Sequence, residues 1–330
     1  ALWQKMAGLG WLGLPFPEEY GGSGGSFLDL TVLLEEMGRA LLPGPFLSTV
    51  VLCGLPVLAA GTEEQKQDFL PKIADGETIL TLALTEPSAL YSAEGIEAKA
   101  IPDKDSYIID GTKLFVTDAH IARHLLTAVG TGKGITLFLT DASSPGIKCT
   151  LLKTLASDRQ CEVVFDQVRV SQQNMLGQRD DGWGIIEQTL RQAAVAECAL
   201  MLGGAQRMLE MAVDYAKDRV QYGKPIGSFQ AIQHQCVDMA IDVEGARHIT
   251  YQAAWKLSEG LPCAIEVAMA KAWVGAACSR VCAQSSHVHG AIGYTQDHDA
   301  QLYLRRIKAA ELTFGDAAFH QEIVAQQLGL

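Results

Sequence analysis

The sequence predicts an α+β chain built in three successive parts. Three observations predict it: helical periodicity with breaks over residues 1–80, short β-rich runs from 78 to about 170, and long one-faced apolar patterns beyond Gly182. At 330 residues the chain should form more than one hydrophobic core. The divisions drawn are an N-terminal helical domain at 1–77, a middle β-domain at 78–176 and a C-terminal helical bundle at 177–330.

In the first part helices are expected at Trp3–Leu9, Leu28–Arg39, Val50–Ala59 and Thr62–Ile73. The loop P-F-P-E-E-Y-G-G-S-G-G and a Pro-rich bend at 43–45 break them. Thr62 and Gln65 stand at capping-box spacing, so the fourth helix should start there. The chain opens on A-L-W-Q-K-M-A-G, in mid-pattern and without an initiator Met, and further helical sequence before residue 1 is expected. In the second part T-I-L-T-L-A-L at 78–84 is β-rich, and Ile96, Ala98 and Ala100 alternate. Tyr107–Ile109 and Lys113–Val116 flank Asp110-Gly111, which predicts a hairpin turn. I-T-L-F-L-T at 135–140 and E-V-V-F-D-Q-V-R-V at 162–170 complete an antiparallel set. In the third part Met208, Met211, Ala212, Tyr215 and Arg219 share a helical face, as do Ile232, Cys236, Met239, Val243 and Ala246. Such spacings imply long helices packed as a bundle.

Apolar residues make up 48% and charged ones 19%, the balance of a packed chain rather than a disordered one. No uninterrupted apolar run is long enough to span a membrane. The net charge of −12 argues against nucleic acid, because phosphate backbones reward dense Lys and Arg. It also means that local groups must hold any anionic cofactor against the overall field. Eight cysteines show neither C-x-x-C pairs nor zinc spacing, which predicts a reduced, cytoplasmic setting. His287 and His289 lack a carboxylate at helical spacing and a third fixed partner, so no metal is expected there.

The segment R-V-Q-Y-G-K-P-I-G-S-F-Q at 219–230 follows the first long bundle pattern. It sets a guanidinium, a tight turn and an aromatic–amide pair side by side, which suits a phosphorylated planar cofactor. The segment resembles the flavin-binding signature of the acyl-CoA dehydrogenase family. Thr85-Glu86-Pro87 resembles that family's T-E-P motif, and Phe115-Val116-Thr117-Asp118 resembles its W-I-T-N strand. S-H-V-H-G-A-I-G-Y at 286–294 resembles its Q-x-x-G-G-x-G-(F/Y) turn, with His287 in place of Gln and Ala291 in place of Gly. The resemblance covers essentially the whole chain. It implies a middle antiparallel β-barrel-like domain between the helical ones, and FAD as cofactor. Leu82, Leu84, Thr85, Phe115 and Thr117 would line the flavin. Arg219, Gln221, Tyr222, Phe229 and Gln230 would reach its phosphates and adenine end, and His287, Gly290, Ala291 and Gly293 its pyrophosphate. In the family the bundle contacts come from a neighbouring subunit, so FAD binding implies at least a dimer. The implied substrate is an acyl-CoA thioester, with an electron-transferring flavoprotein as electron acceptor.

Dehydrogenation of an acyl-CoA needs a carboxylate to remove the α-proton. The family's late E-G-T position falls here on Phe314-Gly315-Asp316, and its alternative position in the first bundle helix falls on Ala193. Neither holds an acid. Glu197, one helical turn after Ala193, is the nearest candidate for a displaced base, with Glu311 and Asp316 behind it. After T-E-P, the bulky Leu90 and Tyr91 stand where small residues would let the acyl-CoA pass. Two readings follow. The chain is a self-sufficient enzyme with a displaced base, or a subunit that completes a partner's site. The second would match bacterial members that resemble pairs of unlike subunits acting on steroid side chains. A third class, other flavin chemistry such as oxygenation, needs no α-proton base.

Overall fold

Each of the four expected N-terminal helices forms. The computed structural model describes residues 2–330; Ala1, where the first expected domain opens, lies outside the described residues. Helix α1 (Leu2–Gly8) is tied to the end of α4 by Trp3 Nε1 and Gln4 Nε2, which donate to Gly76 O at 3.0 and 2.9 Å. Helix α2 spans Phe27–Arg39. The third pattern is wound with i→i+5 bonds over Leu47–Gly54 and continues as α3 (Leu55–Ala60). Helix α4 (Glu63–Ala74) opens on the expected reciprocal cap: Gln65 N donates to Thr62 Oγ1 and Thr62 N to Gln65 Oε1, at 3.2 and 3.1 Å.

By packing, the described residues sort into two compact units: those up to Ser26 with Gly44–Ala193, and Phe27–Pro43 with Ala194–Leu330. The first unit contains the sheet. Its strands are β1 (Leu80–Ala83), β2 (Lys99–Asp103), β3 (Ser106–Thr117), β4 (His124–Gly130), β5 (Ile135–Asp141), β6 (Ile147–Leu151), β7 (Gln160–Ser171) and β8 (Met175–Leu176). They run in the order β6-β7-β3-β2-β4-β5-β8, with β1 beside β4. Pairing is antiparallel except that β1 runs parallel to β4 and β2 touches β4 in parallel at Lys99↔Gly130. Tyr107, Ile109, Phe138, Val163 and Phe165 are buried together on one face, each contributing about 1.5–3 kcal/mol by leaving water.

The expected Asp110-Gly111 hairpin does not form. Strand β3 runs straight through both residues, and the turn that opens it is Lys104-Asp105, with Asp103 paired to Ser106. Both turn-type residues serve the strand instead. Across from Asp110 the register slips between Ile109/Val168 and Gly111/Phe165, leaving Gln167 bulged at φ +51°. Asp110 satisfies that bulge: its carboxylate accepts from Gln167 N at 2.8 Å and Gln167 Nε2 at 2.6 Å. Gly111, at φ +151°, lets Ala98 approach so closely that an added Cβ would lie 2.4 Å from Ala98 Cβ.

The second unit is helical. The long helix α5 (Gly182–Asp218) contributes its residues from Ala194 onward. It is joined by α6 (Gln230–Ser258), α7 (Ala264–His289), α8 (Ala300–Leu312) and α9 (Ala317–Leu328). Helices α2 and α5 cross at backbone contact. A Cβ on Gly203 would lie 1.8 Å from Glu35 O, and one on Gly38 2.0 Å from Leu200 O. The buried Glu35 carboxylate accepts from Tyr251 Oη at 2.7 Å and from Arg247 Nη1, while Arg247 Nη2 reaches Gln206 Oε1 at 3.1 Å. One polar network thereby joins α2, α5 and α6. Gly203→Ala should lower the unfolding free energy by about 2–4 kcal/mol in urea denaturation, because both clashing atoms are backbone. Gly184→Ala in the same helix meets nothing within 4 Å and should be neutral or stabilising by up to about 1 kcal/mol.

Candidate active site

In the sheet unit the candidate cofactor residues come from two adjacent strand ends. Leu82 and Leu84 are buried along β1 and its continuation, and Thr85 is half-buried. Leu114 N donates to Thr85 O at 2.8 Å, and Thr81 Oγ1 donates to Thr117 O at 2.5 Å. These bonds set Thr85 opposite Leu114, the residue before Phe115, and Thr117 opposite Thr81. A bulge shapes the second strand end: Lys113 pairs with Val163 and Val116 with Cys161, so β3 carries one residue too many. Phe115 takes that slack at φ +56° and stands 54% exposed. An aromatic residue in the left-handed region is strained by about 1–2 kcal/mol. Asp118, at φ +61°, is held by Ser48 Oγ at 2.8 Å.

A residue that the motif reading passed over anchors this arrangement. Lys113 is fully buried and pairs with the equally buried Glu86 at 2.6 Å. Burial pushes its ammonium down to about 8, partly offset by the Glu86 charge, so it remains a cation at neutral pH. The signal was present: Lys113 shares the strand parity of Tyr107 and Ile109, both of which face the core.

In the helical unit, Arg219 follows the end of α5 and opens a two-stranded ribbon, β9 (Val220–Gln221) with β10 (Lys224–Pro225). Tyr222 and Gly223 form its two-residue turn at φ +53° and +79°, both in the left-handed region that this turn demands. Tyr222 is 92% exposed and meets Phe229 edge-on at 6.2 Å, and Lys224 Nζ sits 4.4 Å above the Phe229 ring. Gln230 begins α6, and Arg219, Gln221 and Gln230 are all exposed on this ribbon and helix start, where Ile226 N donates to Arg219 O at 2.8 Å. That donor set fits a pyrophosphate.

The 286–294 segment and the residue before it are tied to α5. Ser285 Oγ donates to Met208 O at 2.7 Å, and His289 stacks on Tyr215 at 4.8 Å while its Nδ1 donates to Ser285 O. Gly290 turns at φ +67°, ψ −142°. His287 and Ala291 are exposed, and Gly293 is buried against Ser286 O. Among the described residues no three His, Cys, Asp or Glu side chains gather as a metal site.

Phe314, the expected late base position, lies on a turn whose backbone is gripped from two sides. Lys271, buried in α7, donates to Ala310 O, Glu311 O and Gly315 O at 3.2, 2.9 and 2.9 Å. It thereby caps the C-terminal carbonyls of α8 with a cation. His320 Nε2 donates to Phe314 O at 2.9 Å. Between them Phe314 sits at φ +59° and Gly315 at φ +95°. The neighbouring acids are engaged elsewhere. Glu311 Oε2 accepts from Ser279 Oγ and Lys308 Nζ at 2.6 and 2.7 Å, and Asp316 caps α9 by accepting from Phe319 N at 2.9 Å. Glu197 is half-buried on α5, close enough to raise the proton affinity of Lys271, which burial otherwise lowers. Ala193 is buried. Of the substrate-loop residues, Leu90 is 56% exposed, and Ser88 Oγ closes the loop onto Gly95 O at 3.2 Å. Lys271 and His320 were not singled out in the sequence, although a lysine within A-M-A-K-A-W-V is a charge in an apolar helical run.

Burial pushes His320 down to about 4, against the opposing effect of the Phe314 carbonyl. Its Nδ1 has no partner among the described residues. Since the folded value lies below the unfolded one near 6.5, the unfolded chain takes up the proton first. The resulting stability is complete above about pH 6.5 and is lost as pH falls toward 4. Urea unfolding at about pH 7 and about pH 4.5 should show a loss on the order of 2–3 kcal/mol from this group. His320→Gln, which keeps a donor for Phe314 O, should flatten that part of the pH dependence.

Comparison with known proteins places these features in one family. Its models match as "Acyl-CoA dehydrogenase, N-terminal domain" over residues 1–77, "middle domain" over 81–168 and "C-terminal domain" over 180–329. The chain is similar to the probable acyl-CoA dehydrogenase YngJ of Bacillus subtilis, with 35% identity over 98% of this chain and 88% of that protein. It is similar to the caffeyl-CoA reductase-Etf complex subunit CarC of Acetobacterium woodii, with 32% identity over 98% and 88%. Among solved structures, the FAD complex of PigA superposes with a TM-score of 0.95 at 27% identity, covering 100% of this chain and 89% of that one. With family models matching all three parts of the chain and a relative 35% identical over 98% of it, the chain belongs to the acyl-CoA dehydrogenase family.

Proposed function

We propose that this chain is the base-deficient subunit of an FAD-dependent acyl-CoA dehydrogenase assembly. The cofactor is FAD, which when bound supplies the acceptor for a β-hydride. Arg219, Gln221 and Gln230 would bind the phosphates and adenine end across a subunit boundary. Thr85, Phe115 and Thr117 would cradle the ring. The observation that carries the reading is Phe314. It occupies the family's base position on a turn pinned at four carbonyls, by Lys271 and His320. The acids on either side are committed to Ser279, Lys308 and the α9 cap. A phenyl ring cannot take a proton from carbon, so the α-proton would leave through a carboxylate on a related partner chain.

The remaining expectations join this reading as proposals: an acyl-CoA substrate, an electron-transferring flavoprotein as acceptor, a cytoplasmic location, and domains at 1–77, 78–176 and 177–330. One observation favours a second reading, a self-sufficient enzyme using Glu197. That carboxylate lies within electrostatic reach of Lys271, which grips the Phe314 turn. The two readings divide on one experiment. The purified chain is titrated with FAD and then with an acyl-CoA under anaerobic conditions, alone and mixed with a related chain that carries the family Glu. The partner reading predicts flavin bleaching only in the mixture. It also predicts that Arg219→Ala in this chain weakens FAD binding in the mixture by about tenfold or more, the loss expected for a charged hydrogen bond. Bleaching by this chain alone contradicts the reading, and loss of that bleaching in Glu197→Gln would establish the displaced base.

A further inference from the structure

The geometry points to the buried Glu86–Lys113 pair as the element that positions the flavin-facing strand ends; we infer that both are positioning residues for the cofactor. The inference rests on the reading that Thr85, Phe115 and Thr117 face the flavin. Glu86 immediately follows Leu84-Thr85 in the chain, and Lys113 precedes Phe115 by two residues. The pair therefore joins, through one carboxylate, the two segments proposed to cradle the ring.

The carboxylate is saturated. Glu86 accepts from Glu97 N at 2.8 Å, from Ala98 N at 3.1 Å and from Lys113 Nζ at 2.6 Å. Lys113 Nζ also donates to Leu84 O at 3.2 Å, one residue before Thr85. Thr85 O in turn accepts from Leu114 N at 2.8 Å. A slide of either strand end by one residue would break all of these contacts together. A fully buried ion pair adds little net stability over a well-packed apolar pair, because desolvation cancels most of its attraction, so fixing one register is its best-supported use. Here the register needs fixing. The bulge between Lys113 and Val116 drives Phe115 into the left-handed region, and an unrestrained strand would relieve that strain by sliding.

Glu86→Gln and Lys113→Met test the inference directly, with Thr81→Val as a milder third variant. Thr81 Oγ1 holds Thr117 O from the same side without touching the ion pair. FAD affinity is read by quenching of flavin fluorescence, and the environment of the ring by visible absorption and circular dichroism of the bound flavin. Far-UV circular dichroism verifies the fold at the titration temperature. Each ion-pair variant should bind FAD about tenfold or more weakly and alter the bound-flavin spectrum, the size expected when a site loses its supporting contacts. Thr81→Val should show the same spectral change at smaller amplitude. A purely structural pair would lower the melting temperature and leave both flavin readouts unchanged in folded protein, which would overturn the inference. If the ion-pair variants do not fold, an unchanged Thr81→Val spectrum overturns it equally. Phe115→Ala separates the two levels. If it leaves FAD binding and spectrum untouched, the flavin does not lie there and the inference falls with that reading. If it changes them while the pair variants do not, only the positioning role is overturned.

Discussion

The Lys271 ammonium is the constraint on which the functional account depends. It is buried in α7 and surrounded by the last carbonyls of α8 and by that of Gly315. A buried cation is tolerated only where acceptors replace its water, and here three carbonyls do so. These carbonyls belong to a helix end and a tight turn, where intrahelical donors run out; Ala310 O shares Lys271 with Thr313 N, at 3.2 Å each. The turn that follows is then fixed in backbone whatever side chain it presents. On the proposed reading, Phe314 places a phenyl ring where the resemblance expects a carboxylate. Its carbonyl accepts from His320, so the backbone of the turn is held on that side as well.

Part of the backbone strain falls in the motif segments, and part in ordinary turns and bulges such as Lys104 and Gln167. Phe115, Asp118, Tyr222 and Phe314 all take left-handed conformations without being glycine. Each lies in a segment assigned, by its resemblance, to the flavin or to the reacting carbon. Such conformations persist only when surrounding contacts over-determine them. The contacts are identifiable: a two-residue ribbon turn at Tyr222, the bulge and the Glu86–Lys113 pair at Phe115, Ser48 at Asp118, and Lys271 with His320 around Phe314. The two buried lysines do comparable work in different units. Each converts an isolated charge into a fixed backbone by donating to carbonyls.

Much of this was legible before any coordinates. Apolar periodicity located the long helices, and Thr62 with Gln65 marked a helix start that forms with both bonds of its cap. The motifs pointed to the family, which the family models match over all three parts of the chain. Local rules failed where tertiary contacts reassigned a residue. Asp110-Gly111 has the composition of a hairpin, yet Asp110 feeds a bulge on the neighbouring strand and Gly111 makes room for Ala98. Strand β4 was overlooked because H-L-L-T-A-V-G is a continuous apolar run, buried on both faces, without alternation. Lys113 and Lys271 were passed over for a related reason. A lysine reads as a surface residue unless its place on the strand or helix face is weighed against its neighbours, and here the partners lie 27 to 44 residues away.

The central claim is that this chain carries no group able to remove the α-proton of an acyl-CoA. The most direct measurement is deuterium exchange at that carbon. An acyl-CoA is incubated anaerobically in deuterium oxide with the FAD-loaded chain alone, and the thioester is recovered for mass analysis. The account predicts no label above the uncatalysed background, whatever the state of the flavin. Catalysed incorporation of deuterium by this chain on its own would contradict it.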